Sequence, residues 1–201
     1  MTPRTGRTVP LAALVLAAAT ALALSPTTAT ATTATAPPAP GPDRRAAPVT
    51  VELARARLSS VPYLNERDAA AAGFVPDRYC VAAPDGAGAL GYPHFNHAND
   101  GSLDPRRPAA LIYEDDGHGG RRLVALEWVV NDRDQDPRTD EDRPRLFGQA
   151  FKGPLPGRFK GQAVHYALHV WLWKDNPAGR FATYNPKARC LPGTTRPPKT
   201  P

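Results

Sequence analysis

The side chains able to bind a metal or move a proton fall in a few short stretches. Of five histidines, His165 and His169 stand four apart in a run that also carries Trp171 and Trp173. His94 and His97 stand three apart, beside Tyr92 and Asn96. Glu127 is a lone carboxylate between Ala125 and Val129 in an otherwise apolar stretch. Such a group must be paired or must hold its proton more tightly than usual. Imidazoles and a carboxylate from separate segments suit zinc or copper with an open coordination position. His169, Glu127 and one of His94 or His97 therefore form the first candidate site, for holding a divalent metal or activating a water for hydrolysis. Trp171, Trp173 and Tyr92, with Asn96 and His165, form the second: an aromatic surface for a sugar, a cell-wall polymer or a small molecule.

Both sites depend on the secondary structure of residues 164–177. Val164, Tyr166, Leu168, Val170 and Leu172 alternate with His165, Ala167, His169, Trp171 and Trp173, and Asn176-Pro177 ends the run. Alternation of β-branched and aromatic types predicts a strand with one wholly apolar face. On a helix His165 and His169 would be neighbours about 6 Å apart. On a strand they lie roughly 13 Å apart and cannot share one ion. Each then needs partners from other strands.

The clearest hairpin is 109–114 and 121–130 around Asp115-Asp116-Gly117-His118-Gly119-Gly120. Placing Glu114 opposite Arg121 sets Ile112 against Leu123 and Leu111 against Val124, with a cross-strand ion pair at the hairpin end. Val124, Leu126, Trp128 and Val130 then share one face, and Leu123, Ala125, Glu127 and Val129 the other. His118 sits at the loop tip with no assigned role. The charged loop 131–145 holds Asp132, Asp134 and Asp136, spaced as at the start of a calcium loop. Pro137 stands at its glycine position and Arg143 at its bidentate glutamate, which excludes an EF-hand.

Ahead of the hairpin, 50–59 reads as a short amphipathic helix with Thr50 as its cap. Asn65 caps a second helix over 66–72, stopped by Gly73. The passage 85–91 lacks the spacing of a phosphate loop, and 92–97 reads as a loop. The chain's two cysteines, Cys80 and Cys190, read as a disulfide in an exported protein. The expected fold is α+β: N-terminal helices on one face of a small antiparallel sheet with long loops and one disulfide.

Arg4 and Arg7 precede an apolar run over 10–24 and the small residues Ala29-Thr30-Ala31. That order reads as a secretory signal peptide over 1–31, too short in its apolar part to be a membrane anchor. A Thr-, Ala- and Pro-rich linker follows over 32–48, then one domain over 49–192 and a disordered tail over 193–201. Losing the leader lowers the net charge from +6 to +4. The arginines form scattered pairs with acids close by, not a basic stripe, which argues against nucleic acid. No Gly-x-Ser-x-Gly motif is present, and the serines after the leader are Ser59, Ser60 and Ser102, so nothing singles out a nucleophilic hydrolase.

The segments Gly91-Tyr92-Pro93-His94-Phe95-Asn96, Leu146-Phe147-Gly148-Gln149 and 165–173, with Asn176-Pro177-Ala178-Gly179, together resemble an uncharacterised bacterial secreted-protein family. The likeness spans about residues 63–192 and implies one exported domain. It carries no catalytic residue or cofactor with it.

Overall fold

The computed structural model describes residues 48–157 and 161–196. The leader, nearly all of the linker and the end of the tail lie outside them. Leu53, Ala56 and Ser60 recur at helical spacing and are the buried residues of α1, Val49–Ser60. Pro48, not Thr50, stands at its N-cap, so Thr50 falls inside the first turn. A short 3-10 turn, Val61–Leu64, leads to α2, Glu66–Ala71. The Asn65 side chain caps α2 by accepting from the Arg67 N–H at 3.0 Å, and Gly73 ends it with φ +89°.

Among the described residues nine strands follow: β1 Val75–Pro76, β2 Val81–Ala82, β3 Ala89–Phe95, β4 Ala110–Asp115, β5 Arg121–Asn131, β6 Arg145–Leu146, β7 Gln149–Ala150, β8 Lys152–Leu155 and β9 His165–Trp171. The main sheet runs β1-β3-β4-β5-β9-β8, with β2 also on β3, and every pairing is antiparallel. Strands β6 and β7 form a separate hairpin. The architecture is the expected α+β one.

The β4–β5 register differs from the sequence-based pairing. Asp115 joins the strand opposite Arg121, so Glu114 faces Arg122 and Tyr113 faces Leu123. The five-residue loop is held by Asp116, whose carboxylate accepts from the His118 and Gly120 amides. Partnering then jumps from Leu123 to Ala125, leaving Val124 as a bulge. Beyond it Leu111 faces Leu126 and Ala110 faces Glu127. Side chains alternate along a strand, so the extra residue sends Leu123 to the face opposite Ala125 and Glu127.

Cross-strand pairs share a face, which sorts the sheet into two sides. His94, Leu111, Leu126 and Val170 lie on one, with Trp128, Leu168, Val130 and Tyr166. The N-terminal helical segment covers this side; the Tyr113 hydroxyl donates to the Tyr63 carbonyl at 2.6 Å. Phe95, Ala110, Glu127 and His169 lie on the other, with Ala125, Trp171, Ala167 and His165. Every residue of β9 is buried, so this second side is covered too. Its cover comes from the chain around β2 and from 176–190: Ala89 and Asn185 exchange both backbone hydrogen bonds, and Trp171 Nε1 donates to the Ala182 carbonyl at 2.7 Å.

Cys80 and Cys190 form the expected disulfide, with Cα atoms 5.6 Å apart. Part of the expected tail is also tied down. Thr195 bridges Cys80, and Arg196 pairs with Asp77 at 3.2 Å while its guanidinium lies over the Tyr79 ring. A cross-link that closes a loop of 110 residues restricts the unfolded chain strongly. Replacing both cysteines by serine should lower stability by about 4 kcal/mol. Urea unfolding of the two forms measures it, and a loss below about 1 kcal/mol would contradict this account.

Candidate functional site

Glu127 and His169 are direct partners in the β5–β9 register. Antiparallel pairing brings opposite side chains into contact, and here it sets Glu127 Oε1 3.4 Å from His169 Nε2. At that separation the carboxylate oxygen and the ring nitrogen stand within ion-pair reach. Glu127 is only 1% exposed and His169 5%. His169 Nδ1 has no hydrogen-bond partner among the described residues.

This couple lies in the floor of a cavity of about 400 Å³. Val81, Leu90, Leu155 and Ala167 supply apolar wall, and Thr183 and Tyr184 also line the cavity. Lys152 stands at the rim and donates from Nζ to Thr183 Oγ1 at 2.9 Å. His165 also lines the cavity, with its Nδ1 3.0 Å from the Ala163 carbonyl. The sequence thus points to Glu127, His169 and His165, while Lys152, Thr183 and Tyr184 escaped it. These three come from segments without periodicity, and only the turn at Asn176-Pro177 hints that the chain folds back.

The remaining candidates lie elsewhere. His94 belongs to β3 and faces the helices, on the opposite side of the sheet from Glu127. Its ring packs on Tyr113 with centroids 4.5 Å apart, and its Nε2 sits 3.3 Å from Arg121 NH1. His97 is exposed, pairs with Asp100 at 2.9 Å and stacks on Phe95. Phe95 is three strands from His169, roughly 14 Å at the usual interstrand spacing. The proposed three-ligand metal site therefore does not form as expected. Among the described residues, no group of three or more His, Cys, Asp or Glu side chains is placed to hold a metal ion.

The aromatic surface also differs from expectation. Trp171 is 3% exposed and Tyr92 2%, the latter donating its hydroxyl to Asp115 Oδ2 at 2.9 Å beneath the Arg121 guanidinium. Trp173 is partly buried, with Nε1 donating to Ser60 Oγ at 3.0 Å and one ring face covered by Arg57 at 4.1 Å. The Asn96 side chain caps the 3-10 turn His97–Asn99 and reaches the Ala72 carbonyl. Exposure of the indoles is lost because α1 and residues 176–190 cover the sheet, which no local pattern reports.

At the end of β5, Asp132 is buried against the carboxylates of Asp134 and Asp142. Burial first, then these two acids, push its pKa up. Asp142 accepts from the Tyr166 hydroxyl at 2.9 Å and from the Arg133 amide at 2.8 Å.

Comparisons with protein-family models, with curated proteins and with solved structures find no match for this chain.

Two pH effects follow from these placements. Burial, then the Arg121 charge, lowers the His94 pKa from 6.5 to about 4, so the ring is neutral at pH 7 and Glu66 pairs with Arg121 instead, at 3.1 Å. As pH falls through 6.5 the unfolded chain takes up a proton that the folded one refuses until about 4. Stability should drop by up to about 3 kcal/mol over that window, and His94→Gln should flatten the slope. A wild-type profile flat from pH 7 to 4.5 contradicts this. Asp132 has the opposite sign: its folded pKa is raised, so its contribution is present at acid pH and lost as pH rises through that value. Asp132→Asn should raise Tm at pH 7, with the gain fading toward pH 3; a lowered Tm at pH 7 would argue against the carboxylate cluster.

Proposed function

We propose that this chain is an exported domain that holds a small, mostly apolar, neutral molecule in the cavity over Glu127 and His169. The observation that carries the reading is a buried acid–imidazole couple in the floor of an apolar-walled cavity of about 400 Å³. Small-molecule sites have this composition: apolar walls with a few convergent polar groups. The lining carries one acid, Glu127, and one lysine, Lys152, among the described residues, a balance that suits a neutral molecule. A basic-then-apolar leader and the disulfide support the exported setting. No helix among the described residues is long and apolar enough to cross a membrane.

Divalent-metal binding is the second reading, favoured by the 3.4 Å approach of His169 to Glu127. It has two protein ligands where catalytic zinc sites use three.

Linear 1-alcohols from butanol to decanol probe the first reading, followed by amide NMR shifts at Ala167 and Thr183. Saturable shifts are expected, with affinity rising about fourfold per added CH₂ until the cavity is full. Thr183→Trp, which sets an indole among the lining residues and takes up the cavity, should abolish them. Shifts that never saturate, or that survive Thr183→Trp unchanged, reject the proposal. A parallel zinc titration separates the readings: tight binding removed by His169→Ala favours the metal.

A further inference from the structure

A second cavity, of about 480 Å³, opens where α1 meets the chain after β9. Arg57, Trp173, Lys174, Asp175 and Arg180 are among its lining residues. Its charges sort into paired and unpaired ones. Lys174 is held by Glu114 at 2.6 Å, and Glu114 is also bound by Arg122 at 2.7 Å. Asp175, the one acid among the described lining residues, pairs with Lys187 at 3.3 Å. Arg57 and Arg180 make no ion pair among the described residues, and both are exposed. Arg57 is nonetheless fixed: its guanidinium lies over the Trp173 ring at 4.1 Å and its NH1 donates to the Leu172 carbonyl. The ring is itself anchored through Nε1 to Ser60. One guanidinium is thus pre-oriented with donors to spare, and a second lines the same cavity without a counter-charge. A planar fork of N–H donors held by stacking matches the paired oxygens of a carboxylate or phosphate.

We propose that this cavity binds an oxyanion, gripped between Arg57 and Arg180. The apolar face of a sugar is a poor fit, because Arg57 already occupies one side of the Trp173 ring. The site is separate from the Glu127–His169 cavity and does not depend on what that cavity holds.

The test titrates inorganic phosphate and, separately, D-glucuronate into the full chain at low ionic strength. Tryptophan emission is the readout, with chloride at matched ionic strength as reference. A saturable change beyond the chloride response is expected for at least one probe. Arg180→Ala should weaken it at least tenfold and Arg57→Gln similarly, while Arg189→Ala, an exposed arginine outside the lining, should leave it within twofold. Saturation by phosphate alone assigns a phosphorylated ligand, and by glucuronate alone a carboxylate one. Because Arg57→Gln also removes a contact to Trp173, the exposed Arg180 is the deciding position. No response beyond chloride from either probe overturns the proposal, as does equal weakening by Arg189→Ala and Arg180→Ala.

Discussion

The antiparallel register of β5 on β9 is the constraint on which the rest of this domain turns. Seven consecutive pairs, from Ala125 opposite Trp171 to Asn131 opposite His165, fix which side chains meet. A slip of one residue would send Glu127 into the helix-facing core and bring an apolar residue opposite His169. A carboxylate there would face Leu111, Leu168 and Val170 without a partner of its own kind, which is costly. Hydrophobic alternation and the placement of one charge thus enforce the same register.

That register also explains why the domain needs two different covers. The side bearing Leu111, Leu126 and Leu168 is mostly apolar, with His94 its buried polar group at one edge, and accepts helices. The other side mixes imidazole, carboxylate and indole with alanine, and a regular amphipathic helix would strand its polar groups. Irregular chain covers it instead, and irregular chain has carbonyls to spare. Trp171 donates to Ala182, and Asn176 donates to the Tyr184 carbonyl at 3.1 Å. Imperfect cover leaves the cavity.

The strands were legible wherever their signal was local. The alternation in 164–172, the hairpin signal at Asp116-Gly117 and the Asn65 cap each lead directly to β9, the β4–β5 hairpin and α2. The facing of Glu127 and His169 was half legible, since period placed each on a mixed face but not opposite the other. The position of His94 was hidden by Gly91 and Pro93, which argue against a strand. In the fold both are accommodated: a side chain at Gly91 would sit 2.3 Å from the Tyr113 carbonyl, and Pro93 contributes only its carbonyl, to the Asp77 amide. The hairpin register failed for want of any cue to the Val124 bulge. Burial of Trp171 and Tyr92 depends on segments distant in sequence, and no window of residues contains it.

The disulfide bears on how anything reaches Glu127. Val81 follows Cys80 directly, and Thr183 and Tyr184 lie a few residues before Cys190, so the covalent tie joins the two stretches that roof the cavity. A roof tied in this way is restrained from opening as a flap. Lys152, Leu155 and Pro156, from the outermost strand and its end, also line the cavity and are exposed, so they form its solvent-facing margin. An edge strand, elsewhere a hazard for unwanted sheet growth, serves here as the doorstep of the chamber.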